Sequence, residues 1–105
     1  MKTKEILERN ELIAEFMGAK TDERTCWPYR VNGNSWKLEG LKYHTSWDWL
    51  MPVYLKITKL IDEINTEEAV IIFNILYEKL ADGNGIEEVY KYIIKFIKLY
   101  NTQKQ

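Results

Sequence analysis

The residue pattern predicts a mainly helical fold of the α+β class, with four helices and one small β-hairpin. Three observations carry this reading. Apolar residues recur at three- and four-residue steps in four separate stretches. Helix start and stop signals punctuate those stretches. A period-two segment flanks Asn32-Gly33-Asn34. The chain has 105 residues, of which 46% are hydrophobic and 30% charged, an ordinary composition for one domain spanning 1–105. A domain of that size buries about two-thirds of the surface its unfolded chain exposes, enough for a core without disulfides or metals.

The first helix is expected over Thr3 to Met17. Ile6, Ile13 and Met17 lie near one face, and Leu12 and Phe16 widen it. Gly18 is placed to end it in the left-handed conformation. Thr21 to Thr25 reads as loop. Trp27, Tyr29 and Val31 then alternate with Pro28 and Arg30, and Trp36 and Leu38 alternate beyond the Asn32-Gly33-Asn34 turn signal. This predicts a hairpin across Trp27 to Leu38, with Pro28 suited to an edge or a strand start.

Thr45-Ser46-Trp47-Asp48 matches a capping box, with Thr45 as the cap and Asp48 at the third helical position. The helix that follows presents Trp47, Leu50, Tyr54, Ile57, Ile61 and Ile64. Pro52 predicts a kink, or a short first turn leading into a new helix, because its ring clashes with the preceding turn and it lacks an amide. Asn65-Thr66-Glu67-Glu68 is another start signal, followed by Ala69, Ile72, Phe73, Leu76 and Leu80. Val70, Ile71 and Ile75 leave residues 67–81 readable as strand as well, and length favours helix. Asp82-Gly83-Asn84-Gly85 is a break. The last helix is expected over Ile86 to Tyr100, burying Val89, Ile93, Phe96, Ile97 and Tyr100, with Asn101 to Gln105 as a frayed polar tail. The expected core is Ile13, Phe16, Trp47, Leu50, Tyr54, Ile57, Phe73, Leu76, Ile93, Phe96 and Ile97.

Charge and cysteine usage narrow the function classes. Fifteen basic residues face sixteen acidic ones, and the balance holds in both halves, so the basic excess of a duplex-binding domain is missing and nucleic acid is disfavoured as a partner. Cys26 is a lone thiol, consistent with a reducing compartment. The N-terminus lacks a secretory core and no run is long enough to span a bilayer, so a cytoplasmic location is expected and a membrane partner is not.

Three blocks carry a family resemblance: Glu11-Leu12-Ile13-Ala14-Glu15-Phe16-Met17-Gly18, Tyr43-His44-Thr45-Ser46-Trp47-Asp48-Trp49-Leu50-Met51-Pro52-Val53, and the stretch from Val89 to Asn101. In this order they resemble a group of small proteins encoded by phages and prophages. That group is also similar to phage proteins described as an α-β-α sandwich, which implies a small sheet between helices. The resemblance further implies a phage origin and a bacterial host cytoplasm. It brings no catalytic or binding residues with it.

Candidate chemistry is thin. His44 is the sole histidine, and no C-x-x-C or H-E-x-x-H spacing exists, so neither a metal nor a cofactor is expected. A Cys26–His44 nucleophile pair with Asp48 is formally available, but helix capping accounts for Asp48, and burial for Cys26. Trp27, Trp36, Trp47 and Trp49 fall within 23 residues. They read either as an aromatic platform or as core, with Trp36 packed on Trp47. Trp47 and Trp49 point about 200° apart, so one of them faces the surface or the hairpin. Lys91, Lys95 and Lys98 read as a solvated face.

The expectation is a non-enzymatic protein that binds a host or phage protein, an anti-defence inhibitor being one form. Its candidate binding residues are Trp27, Tyr29, Trp36, Tyr43, His44 and Trp49. The alternative is a small-molecule or nucleotide-binding protein that sequesters its ligand in an aromatic-lined pocket. A homodimer through Ile71, Ile75, Tyr90 and Ile94 is a further reading of the wide apolar stripe.

Overall fold

The computed structural model describes residues 3–19, 28–31, 34–64, 66–83 and 85–103. It is mainly helical, with four helices and a two-stranded antiparallel hairpin. Helix α1 is Thr3–Phe16. Gly18 ends it at φ +70°, with the Gly18 amide donating to Glu15 O at 3.1 Å and the Ala19 amide to Ala14 O at 2.8 Å. These two bonds form a Schellman motif, with Ala14 and Ala19 both buried. Lys56 reinforces the same end from another helix. Its ammonium donates to Phe16 O and lies 4.6 Å from the Phe16 ring centroid, a cation at a helix C-terminus.

Ala19 O then accepts from the Arg30 amide at 2.8 Å, which fastens the hairpin to the end of α1. Strand β1 is Tyr29–Val31 and β2 is Asn34–Trp36, in the register Tyr29 with Trp36, Arg30 with Ser35 and Val31 with Asn34. The hairpin is shorter than the alternation predicted. Asn34 is in β2 rather than in the turn, and Leu38 starts a single 3₁₀ turn, Leu38–Gly40. The expected start at Trp27 and the turn at Asn32-Gly33 lie outside the described residues.

Helix α2 is Trp47–Ile64. It starts one residue later than the predicted capping box requires. Ser46 O takes the amides of Trp49 and Leu50 at 3.2 and 3.0 Å, while the Thr45 amide closes a turn on Lys42 O. Asp48 therefore occupies the second helical position, still suited to the helix dipole. The helix runs unbroken through Pro52, so of the two expected outcomes the short first turn leading into a new helix is not formed. Pro52 is exposed, and so is Asp48, whose carbonyl would have taken the missing amide, so water can serve in its place.

The buried face of α2 is Trp49, Leu50, Val53 and Ile57. This corrects the expected core. Trp47 is 40% exposed, and Tyr54 is only half-buried. The stripe is rotated because Trp49 turns toward the hairpin and carries Val53 inward with it.

Helix α3 is Glu67–Ala81, which resolves residues 67–81 as helix. The Thr66 hydroxyl caps it, accepting from the Ala69 amide at 3.3 Å. Among the described residues the hairpin forms the only sheet, so the sheet between helices implied by the resemblance does not appear there. Helix α4 is Ile86–Gln103 and takes in three residues of the expected tail. It is the central element: α1, α2 and α3 all pack on it, with Val89, Tyr90, Ile93, Ile94, Phe96 and Ile97 buried. Phe73 of α3 is half-buried and stacks on Tyr54 at 6.1 Å between centroids. The proposed dimer stripe is broken up, since Tyr90 and Ile94 are core residues while Ile71 stays exposed.

A methyl added at Gly18 would meet nothing within 4 Å, so its cost is purely backbone conformation. Gly18→Ala should lower the unfolding free energy by about 1 kcal/mol in urea titration. An unchanged midpoint would mean that the positive φ is not needed.

Candidate functional site

Two structures are built around the sequence-predicted residues, and they do not coincide. The first is an aromatic cluster. Tyr29 and Trp36 pair across the hairpin, and Trp49 of α2 meets Trp36 edge to face at 5.0 Å. Tyr43 meets Trp49 in the same manner at 5.2 Å. Such edge contacts set the positive rim of one ring against the negative face of another, adding about 0.5–1.5 kcal/mol per pair beyond burial. The Trp36 indole N–H donates to Val31 O at 3.4 Å, and the Lys42 ammonium lies 5.5 Å from the ring centroid. Gly40 closes against the same indole so tightly that a Cβ there would sit 3.2 Å from Cε3. The packing partner of Trp36 is thus Trp49, not Trp47.

Tyr29, Tyr43 and Trp49 are buried, and Trp36 is half-buried. Burial pushes the Tyr43 hydroxyl up to about 12, so it stays neutral. Trp27, like Cys26, lies outside the described residues. Beside this cluster is a cleft of about 170 Å³ between the end of α1, β1 and the start of α2. Its floor includes Met17, Val31, Trp49 and Pro52, and Arg30 and Asp48 bring opposite charges to its lining.

The second structure is a buried polar knot at His44. Asn10, on the core side of α1, places its Nδ2 at 3.2 Å from Leu41 O and 3.0 Å from His44 Nδ1. Tyr90 of α4 donates its hydroxyl to Asn10 Oδ1 at 2.9 Å. The proton positions follow from the one fixed partner. A backbone carbonyl can only accept, so the atom facing Leu41 O is the amide nitrogen. Its second proton then points at His44 Nδ1, which must accept, leaving His44 neutral with its proton on Nε2. Desolvation lowers the His44 pKa, in the same direction. The Tyr90 hydroxyl is pushed up to about 12 by burial, partly countered by Arg9.

A cavity of about 250 Å³ adjoins the knot, lined by Ile6, His44, Thr45, Glu87 and Tyr90. His44 and Asp48 therefore line different cavities, which separates two members of the formal His44, Asp48 and Cys26 set. Among the described residues no group of three or more His, Cys, Asp or Glu side chains is placed to hold a metal. No described helix is long and apolar enough to cross a membrane.

The residues that sequence reasoning missed are Asn10, Leu41 and Tyr90. Asn10 did leave a signal: it sits between Ile6 and Ile13 on the apolar face of α1, where a polar side chain demands partners. Comparison with protein-family models, curated proteins and solved structures found no match to this chain.

Two expectations follow from the knot. Asn10→Ala strands the Tyr90 hydroxyl, the Leu41 carbonyl and His44 Nδ1, so it should cost at least about 3 kcal/mol in chemical denaturation. A loss below 1 kcal/mol would contradict the knot. Because folding lowers the His44 pKa, the unfolded chain takes up a proton first as pH falls below its ordinary value of 6.5. The stability that His44 contributes is complete above that pH and is lost as pH drops through the folded pKa. The stability gap between the native protein and His44→Asn should therefore narrow between pH 7.5 and 5.5. A gap that widens on acidification would reverse the assigned sign.

Proposed function

We propose that this chain is a phage- or prophage-derived, non-enzymatic protein that works by binding a host or phage protein. Inhibition of a bacterial immune component is one concrete form of that activity. The observation that carries the reading is where the apolar surface lies. The aromatic rings of the middle segment pack mainly on one another, while Trp47, Leu55, Val70, Ile71 and Tyr77 are 40, 55, 37, 51 and 59% exposed on α2 and α3. Large apolar side chains left exposed favour protein contact, because covering them releases water at about 25 cal/mol per Å². The resemblance of the three sequence blocks supports the phage origin.

The small-molecule reading rests on the cleft beside Tyr43 and Trp49. Its volume of about 170 Å³ is below the roughly 300 Å³ where drug-sized ligand sites begin, and the larger clefts, of about 390 Å³ at Glu5, Arg9 and Lys98 and about 380 Å³ at Phe16, Lys56 and Tyr100, lie away from Tyr43 and Trp49. His44 is occupied by Asn10, so it supports structure better than catalysis.

Tagged protein incubated with lysate of an infected bacterial host should retain a defined partner. Ile71→Asp with Tyr77→Asp, both at exposed positions, should abolish retention while leaving the circular dichroism spectrum unchanged. Retention that survives both substitutions would remove this face from the proposal. A nucleotide panel should leave the melting temperature unmoved, whereas a ligand at 100 times its Kd would add about 2.7 kcal/mol and favour the small-molecule reading.

A further inference from the structure

We propose that the cavity beside the His44 knot binds a compact organic ammonium ion that also carries a hydroxyl or carbonyl oxygen. The site uses none of the exposed apolar residues of α2 and α3, so it is independent of the protein-binding reading above. The cavity and the knot share His44 and Tyr90. Ile6 precedes Asn10 by one turn of α1, Glu87 precedes Tyr90 by three residues on α4, and Thr45 follows His44. Together Ile6, His44, Thr45, Glu87 and Tyr90 line a space of about 250 Å³. A closed apolar cavity of about 150 Å³ holds benzene, so a ligand somewhat larger than one ring fits here.

His44 brings a donor whose position is fixed. Asn10 Nδ2 holds Nδ1 at 3.0 Å, which keeps the ring proton on Nε2. Nε2 has no partner among the described residues, and no buried polar side-chain atom there is left unpaired, so Nε2 is reachable from outside. The ring can give that proton to a ligand oxygen. Its lone pair is engaged by Asn10, so it has none to offer a metal ion. The Thr45 hydroxyl and the Glu87 carboxylate are also without a partner among the described residues. Ile6 and the ring of Tyr90 supply the apolar wall.

Charge selects the ligand's sign. Glu87 is the one charged residue in the lining, and His44 is neutral. Arg9 acts on Tyr90 from α1, but it lines a different cleft with Glu5 and Glu8. The cavity therefore favours a cation and disfavours phosphates and carboxylates. An ammonium group meets Glu87, an oxygen accepts from His44 Nε2, and hydrocarbon covers Ile6 and Tyr90.

The test titrates the full chain with 2-amino-1-phenylethanol and three relatives, and reads amide chemical shifts. In 1-phenylethanol the ammonium is missing, in 2-phenylethylamine the hydroxyl is missing, and in mandelate a carboxylate replaces the ammonium arm. The amino alcohol should bind saturably, with shifts concentrated at Ile6, residues 44–45 and residues 86–90. Loss of the hydroxyl should weaken binding about fivefold, as loss of one hydrogen bond does. Glu87→Gln, at an exposed position, should weaken the amino alcohol about fivefold and remove its advantage over 1-phenylethanol.

No saturable binding, or shifts that map elsewhere, would overturn the proposal. So would mandelate binding as tightly as the amino alcohol, or an amino alcohol affinity that Glu87→Gln leaves unchanged. Equal affinity for 2-phenylethylamine would overturn the part assigned to His44.

Discussion

The buried amide of Asn10 is the constraint on which the rest of the arrangement depends. A carboxamide taken out of water must fill its donors and acceptors inside the protein, since each one left empty costs about 1–3 kcal/mol. Here the partners come from three places far apart in sequence: the Leu41 carbonyl, the His44 imidazole and the Tyr90 hydroxyl. Satisfying one side chain therefore fixes α1, α4 and the segment leading into α2 relative to one another. Hydrophobic contact alone is tolerant of sliding by a fraction of a turn. A network with one fixed acceptor and one forced tautomer is not.

That fixed segment sets the direction of Trp49. With Leu41, Tyr43 and His44 held, α2 begins at Trp47 and aims the ring of Trp49 at Trp36 on the hairpin. The hairpin is held in turn by Ala19 O, at the Schellman end of α1. Local signals and long-range contacts thus point to the same structure, the consistency expected of a sequence that folds to one state. The outward direction of Trp47 follows from the same geometry, because residues two apart on a helix cannot share a face.

The parts legible in the sequence were those written in local chemistry. Gly18 and the Asn65-Thr66-Glu67-Glu68 start signal marked helix ends that the structure reproduces, and the apolar steps of Val89, Ile93, Phe96 and Ile97 identified the buried side of α4. The illegible parts depended on partners distant in the chain. Nothing near Trp47 or Trp49 reveals which of them the hairpin covers, so Leu50 and Ile57 were placed correctly in the core while Trp47 and Tyr54 were taken in place of Trp49 and Val53. Ser46 rather than Thr45 opens α2: the amides of Thr45 and Ser46 both close on Lys42 O, and the Ser46 carbonyl takes the first helical amides, of Trp49 and Leu50. Pro52 was read as a kink or as the end of a short first turn, and of these the division does not occur: a proline in the second turn on an exposed side loses one hydrogen bond and leaves the helix continuous. For the candidate site, the pattern found the aromatic segment but not which rings are covered: Tyr29, Tyr43 and Trp49 are buried, and among the described residues the exposed large apolar side chains lie on α2 and α3.

Among the described residues Tyr29, Tyr43 and Trp49 face inward, and the large apolar side chains that stay exposed lie on α2 and α3. Hydroxyl-radical footprinting of the free protein, read residue by residue by mass spectrometry, tests this most directly. Rapid oxidation of Trp47, Leu55 and Tyr77 with protection of Tyr29, Tyr43 and Trp49 is the expected outcome. Oxidation of Trp49 and Tyr43 as fast as Trp47 and Tyr77 would contradict it.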